Sequence, residues 1–228
     1  MTNEASKTRA VRGTEFERRF LQGRVIDIGC GNDPIVPHAE PFDIEHGNAE
    51  QIASLRPIGA YDAVCSSHCL EHMRDVPQAL AQWWALVRQG GYLLVVVPDE
   101  DLYEQGGWPS LFNRDHKATF RMDKTSSWSP VSFDILELVR RLDGAEVIAC
   151  ERHDAGYDHS LKRAGLTRTD RILFVVQQKC HSLIRRAGVH SQALTRIVDA
   201  LFLRLGTPVD QTKGPALAQI QIIARKRD

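Results

Sequence analysis

The chain has no surplus of either charge: 29 lysines and arginines meet 29 aspartates and glutamates over 228 residues. Without a global field to hold a polyanion, a nucleic-acid partner would need a local basic patch, and none is expected. Long apolar runs are missing too. No stretch approaches the ~20 residues that a membrane helix requires, and Met1 to Arg19 is charged throughout, so no membrane span or export signal is expected and the reading is cytoplasmic. Cysteine is scarce and odd in number, at Cys30, Cys65, Cys69, Cys150 and Cys180, which excludes a fully paired disulfide framework and points to reduced thiols. Cys65 and Cys69 lack the second pair that a zinc ribbon needs. Internal repeats and low-complexity tracts are also absent. What is present is 43% hydrophobic content, enough for one substantial core. A single domain over residues 1-228 is expected, with 1-13 a loose polar segment at its start.

Periodicity predicts the elements. Glu15 to Leu21 reads as a short helix ending at Gly23. Strands are expected at 24-28, 41-44, 61-66, 92-97 and 145-150. The run Tyr92-Leu93-Leu94-Val95-Val96-Val97 suits a strand covered on both faces, which implies a parallel sheet. Val76, Ala79, Leu80, Trp83, Trp84 and Val87 recur at helical spacing, with Gln89-Gly90-Gly91 as the stop. Another helix is expected from Ser129-Pro130 through Phe133, Leu136, Leu138, Val139 and Leu142. In the last third, Leu173, Val176, Cys180, Leu183, Ile184 and Ala187 favour a helix after Thr169-Asp170 over a strand at 172-176. A second helix follows at about 191-204, so 160-212 forms a helical insertion. Leu217 to Ala224 alternates as a final antiparallel strand. Alternating strands and helices give an α/β, doubly wound sheet.

The most informative stretch is Val25-Ile26-Asp27-Ile28-Gly29-Cys30-Gly31-Asn32, an apolar strand running through an acid into a two-glycine turn. Glycine permits positive φ and close backbone approach, so the Gly29 and Gly31 amides can face a ligand, and Asp27 could hold an ammonium or a hydroxyl. Four more blocks follow in order: Phe42-Asp43, Gly47-Asn48-Ala49-Glu50, Tyr61 through His72, and Gln89-Gly90-Gly91-Tyr92. Together they resemble the class I S-adenosylmethionine-dependent methyltransferases of the small-molecule type, over residues 20-150. The resemblance implies a Rossmann-like, mostly parallel sheet and S-adenosyl-L-methionine as cofactor. Carried over by residue, Asp27, Gly29 and Gly31 would cradle the methionyl part and Asp43 would accept the ribose hydroxyls. Asn48 and Ala49 would flank the adenine, and Ser66 would join the cofactor set. Asn48 stands where the family usually has an acid. Only eleven residues separate Gly31 from Asp43, with Pro34 and Pro37 between them, so the usual helix there must be shortened or replaced, and Glu45 stays open beside Asp43 as the ribose ligand. A nicotinamide-dinucleotide oxidoreductase is the competing reading, but its third fingerprint glycine is replaced by loop sequence around Pro34 and Ile35.

His68-x-x-Glu71-His72 spells the inverted zinc-protease motif, yet it follows a strand and opens a crossover loop rather than lying in a helix. Some quinone-biosynthesis and RNA-end methyltransferases resemble this segment and hold a divalent ion there, with a further acid where this chain has Ser67 or His68. Without that acid no metal is expected; His68, Glu71 and His72 are the residues that would hold one. The preferred reading has Leu70, Glu71 and His72 pin the loop to the following helix.

Beyond the apolar strand, Pro98 to Phe120 mixes acids, aromatics and a histidine where an open α/β sheet binds its substrate. His116 is the candidate general base, oriented by Asp115 or Asp101. Trp108 and Tyr103 could stack on a sugar ring, and Asp99, Asp101 and Glu104 could accept its hydroxyl hydrogens. The Tyr103 to Phe120 segment resembles bacterial methyltransferases of surface-polysaccharide and glycan assembly. The expected function is therefore O-methylation of a small molecule, with a sugar or glycan precursor as the leading acceptor class. Nucleic-acid methylation is disfavoured because no Asn-Pro-Pro-aromatic or Asp-Pro-Pro-aromatic box occurs. The alternative of a different class is a non-catalytic cofactor-binding regulator or scaffold that docks through Val176 to Leu205.

Overall fold

The computed structural model describes residues 4–186 and 192–227. Six strands form the main sheet: β1 (Val25–Ile28), β2 (Glu40–Phe42), β3 (Tyr61–Ser67), β4 (Val87–Pro98), β7 (Ala145–His153) and β8 (Gln219–Lys226). A separate two-stranded pair, β5 (Thr119–Arg121) with β6 (Ser132–Asp134), lies between β4 and β7 in the chain. The main sheet has the order β2-β1-β3-β4-β8-β7, parallel from β2 to β4, with β8 antiparallel to both of its neighbours. This is the α/β, mostly parallel, Rossmann-like arrangement with a reversed C-terminal strand.

The apolar run in β4 is buried on both faces. Leu93, Val95 and Val97 join one core cluster, with Ile26, Ile28, Val64 and the Trp83 side of α2 (Val76–Leu86). Leu94 and Val96 join the other, with Val25, Ala63, Cys65, Phe20 and Leu21. Alternate side chains of a strand point to opposite faces, so a run without polar interruption needs cover on both sides. Helix α2 begins under a cap, Asp75 accepting from the Gln78 amide, and ends at Leu86 rather than at the glycine pair. Gly90 and Gly91 lie instead inside β4, where a Cβ on Gly91 would stand 2.9 to 3.0 Å from three carbonyl oxygens. They admit the register shift between Tyr61 and Ala63.

Several expectations need correction. Residues 4–12 are not loose: α1 runs Glu4–Phe20, broken only at Gly13, with Ala5 and Thr8 buried. Its attachments are polar, Lys7 Nζ to the Thr212 carbonyl at 2.6 Å and Arg12 Nε to Gln221 Oε1 at 2.7 Å, so apolar patterning could not reveal it. The expected helix from Ser129 begins only at Ile135, as α3 (Ile135–Arg140), because Asp134 caps the Glu137 amide at 3.1 Å and Ser132–Asp134 pairs with β5. In the last third, α4 (Arg168–Arg186) takes the helical alternative, and α5 (Gln192–Arg204) follows; Ala187 and Ser191 lie outside the described residues. Thr167 and Asp170 open α4 as a reciprocal pair, each side chain accepting the other's amide.

Trp83 is fully buried and donates its indole N–H to the Ala49 carbonyl at 3.0 Å, tying α2 to the turn at Ala49–Ser54. Trp83→Ala is expected to cost roughly 3–5 kcal/mol in urea unfolding, and Trp83→Phe should recover all but about 1–2 kcal/mol, mostly the lost hydrogen bond.

Candidate active site

The strand order reverses at β1: β2 lies on one side and β3 on the other. Loops leaving the carboxyl ends of such strands diverge and open a crevice. Here the crevice is a cavity of about 1120 Å³ lined by the turns after β1, β2 and β3, with Glu4 and Ala5 of α1 and the Asp210 to Lys213 segment at its rim.

One end is built on Asp27, in the interior of β1. It is buried, and its Oδ2 accepts the Ile35 amide at 2.6 Å while Oδ1 has no partner among the described residues. Burial pushes its carboxyl up to about 7, opposed by the Ile35 amide and the Arg12 charge. The next turn depends on glycine. Gly29 holds φ 77°, and a Cβ there would stand 2.5 Å from Cβ and Sγ of Cys69. The immediate reason for glycine is thus contact with the β3 loop, not only room for a ligand. Gly31, at φ 53°, donates its amide to Asp43 Oδ2 at 2.8 Å, while Asp43 Oδ1 accepts the Ile44 amide at 2.7 Å. Each oxygen keeps a free lone pair. Asp43 lines the cavity and Glu45 does not. Asn48 and Ala49 line it as well, although the Asn48 side-chain Oδ1 already accepts the Glu50 amide at 2.9 Å. Ile44, passed over by the sequence reading, is 90% exposed and lines the same end. An apolar residue directly after Asp43, the acid that follows β2, was the available signal.

Ser66 must be removed from the set. It is fully buried, sits between Ile28 and Val95 in the sheet, and does not line the cavity; its neighbour Ser67 does. The alternation of a strand decides between the two. No helix occurs between β1 and β2 among the described residues, so no helix N-terminus faces the Gly29 turn as a dinucleotide pyrophosphate would require.

The other end holds a cluster of carboxylates and imidazoles. His116 is buried and donates from Nδ1 to Glu104 Oε1 at 2.7 Å, while its Nε2 lies 4.0 Å from Glu71 Oε1. Glu71 is buried, and among the described residues neither oxygen receives a hydrogen bond. Burial alone would raise its carboxyl, but the charge of His68 at 3.5 Å, with His116 and His72 beyond, holds it below the usual carboxylate range. Glu71 in turn lifts His68 against the effect of burial. The turn Leu70–His72 is pinned to the later loop because the Glu71 carbonyl accepts the Lys117 amide at 2.7 Å. Tyr103 lies over His116, with ring centroids 5.2 Å apart.

Both proposed orienting acids are corrected. Asp115 pairs with His72 Nδ1 at 2.9 Å and with Lys117, and Asp101 is held by Lys124 at 2.8 Å and Trp128 at 2.9 Å, outside the cavity. Glu104 takes their role, one turn of the Glu100–Glu104 helix away from Asp101. Asp99 is likewise occupied, by Arg152 at 2.6 Å, and Trp108 does not line the cavity. The donor set for a cation also changes: Glu71, His72 and His116 offer atoms within 4.8 Å of one another, whereas His68 turns to Gln219 at 3.0 Å. Burial pushes the Cys69 thiol up, so it adds no thiolate.

No curated protein matches the chain by sequence. Among solved structures it is similar to a SAM-dependent methyltransferase from Archaeoglobus fulgidus, at 16% identity over 99% of this chain and 95% of that one, with a TM-score of 0.49. It is also similar to the YcgJ protein from Bacillus subtilis, at 17% identity over 92% and 94% of the two chains with a TM-score of 0.47. A possible histamine N-methyltransferase from Thermotoga maritima gives 15% identity over 99% and 88%, with a TM-score of 0.47. At these values none assigns a residue role here. The family assignment rests on a separate match, of residues 4–133 to the methyltransferase domain, which takes in the sheet from β1 to β4 and both ends of the cavity. The chain belongs to the methyltransferase domain family.

Proposed function

We propose that this methyltransferase uses S-adenosyl-L-methionine to methylate a hydroxyl of a small molecule, with His116 as the base. When bound, the cofactor supplies a methyl group on a sulfonium centre, an electrophile that needs no further activation. The observation that carries its placement is the unpartnered, buried Oδ1 of Asp27 beside the Gly29 turn. A buried carboxylate without a donor is costly, and an ammonium restores the missing partner. Asp43 offers its two remaining lone pairs to ribose hydroxyls, while Ile44, Asn48 and Ala49 form the edge where an adenine would lie. The acceptor is placed at the other end, against Tyr103 and Phe112. Glu104 holds His116 at Nδ1 and leaves Nε2 to take the hydroxyl proton as the oxygen attacks the methyl carbon; the imidazolium so formed lies between two carboxylates. With the cofactor bound, that oxygen would receive the methyl group and S-adenosylhomocysteine would be the other product.

A sugar remains the leading acceptor class, now supported by Tyr103 alone, since Asp99, Asp101 and Glu104 are engaged by Arg152, Lys124 and His116 and Trp108 does not line the cavity. A second reading of the same end is favoured by the bare oxygens of Glu71. Both histidines beside it are held at Nδ1 by a carboxylate, His116 by Glu104 and His72 by Asp115, the second-sphere arrangement of metal-ligating imidazoles. In that reading His116 Nε2 is a ligand to a divalent cation rather than a base.

His116→Ala should lower turnover by roughly 10²–10⁴-fold and leave S-adenosylhomocysteine affinity nearly unchanged. Glu104→Gln should lower turnover by less than His116→Ala does, since it leaves the imidazole in place. Turnover lost to a chelator and restored by a divalent metal would assign the cation reading instead, and parental turnover in His116→Ala would defeat both.

Asp27 gives a prediction of opposite character, on binding. Its folded pKa, about 7, lies above the ordinary 3.8, so in the free protein the stability tied to its protonation is complete below 3.8 and is lost as pH rises through 7. Holding an ammonium requires the ionised form. S-adenosylhomocysteine binding should therefore weaken as pH falls from 8 to 6, by up to about tenfold per unit below the pKa. Asp27→Asn should remove this dependence, bind weakly throughout, and raise the ligand-free Tm at pH 8. Isothermal titration and thermal melts at several pH values check all three.

A further inference from the structure

Most large apolar side chains left in solvent lie between Ile172 and Leu205. On α4, Ile172, Val176 and Leu183 recur on one outer face; on α5 and the turn after it, Ile197, Leu201 and Leu205 do the same. Leu183 and Ile197 are 63% and 65% exposed. The two helices do not cover these stripes for one another. They meet through a different face, where Asp199 accepts from Gln177 at 2.9 Å and pairs with His181 at 3.0 Å.

Charge distinguishes this region from the rest of the chain. The two helices carry seven basic residues, Arg168, Arg171, Lys179, Arg185, Arg186, Arg196 and Arg204, against Asp170 and Asp199 alone. Over the whole sequence the two signs balance at 29 each. Asp170 is committed to capping α4 and Asp199 to the contact between the helices, so neither offsets the outer cations. No helix of the described residues is long and apolar enough to cross a membrane.

We propose that the α4 and α5 pair docks this protein on the surface of a bilayer bearing anionic headgroups. Apolar stripes flanked by arginine and lysine suit the interface, where side chains such as Leu201 and Leu183 enter the acyl boundary and the cations meet phosphate. The pair also adjoins the active site. A cavity of about 790 Å³ lies between α4 and residues 109-114, lined by Phe112, Phe174 and Arg171, and Phe112 lines the larger cavity too. On the acceptor placement proposed above, α4 therefore adjoins both the lipid surface and the loop that carries Phe112.

The test is co-sedimentation of the full chain with vesicles of phosphatidylcholine alone and of phosphatidylcholine with phosphatidylglycerol. Binding to the anionic vesicles should be at least about tenfold stronger and should fall as salt rises from low to high ionic strength. Ile197→Asp with Leu201→Asp should lower it about tenfold or more while Tm and S-adenosylhomocysteine affinity hold. If the double variant does not fold, Arg185→Gln with Arg186→Gln reports on the same surface, with a loss of several-fold expected. Failure of the unaltered protein to sediment with anionic vesicles would overturn the proposal. So would a dimer in analytical ultracentrifugation that the aspartate pair dissociates without any effect on vesicle binding, since the face would then belong to a second copy.

Discussion

The loops after β1 and β3 touch at Gly29 and Cys69, closely enough that residue 29 cannot carry a Cβ. Everything in the cavity is referred to that contact. On its β1 side lie Asp27, the Gly31 amide and Asp43; on its β3 side lie His68, Glu71 and His72. Two chemically different ends of one cleft are thereby held at a fixed separation by packing rather than by a flexible linker, and a transfer reaction needs that alignment most. The positive φ of Gly29 and the bond from its amide to the Phe42 carbonyl, at 2.7 Å, extend the constraint to β2 and so to Asp43.

Electrostatics differs between the ends. At Asp27 a single acid is buried with one oxygen bare, and the result is a carboxyl that releases its proton only near neutrality. At Glu71 a second buried acid is surrounded by three imidazoles and stays ionised. Equal burial therefore gives opposite protonation, decided by the neighbours each turn supplies. Among the described residues, three of the four carboxylate oxygens of Glu71 and Glu104 receive no hydrogen bond. Such a region favours a proton or a cation at its centre, which is common ground between the base and metal readings.

Much of this was legible in the sequence where signals were local. The β1 strand with its acid and glycines, the apolar β4, and the stripe of Val76, Leu80 and Trp83 in α2 each follow from periodicity or backbone sterics. What escaped depended on distant polar partners. Helix α1 looks featureless because Lys7, Arg9 and Arg12 anchor it to carbonyls and an amide far along the chain. Asp101 and Glu104 are equally plausible orienters by composition, and only the path of the 100–104 turn points one toward Lys124 and the other toward His116. Ser66 against Ser67 was a question of strand phase, which a serine pair cannot answer by itself. The stripe at Val176 and Leu183 fixed a helix but said nothing about its being uncovered.

The reversed strand β8 has a topological outcome. Because β7 ends at His153 opposite the start of β8 at Gln219, the chain leaves the sheet and rejoins it at the same edge, beside His68. Residues 154–218 are thus an excursion whose two roots are neighbours, and its length is free of the sheet's geometry. Such a segment can change in length without altering the pairing of β7 with β8.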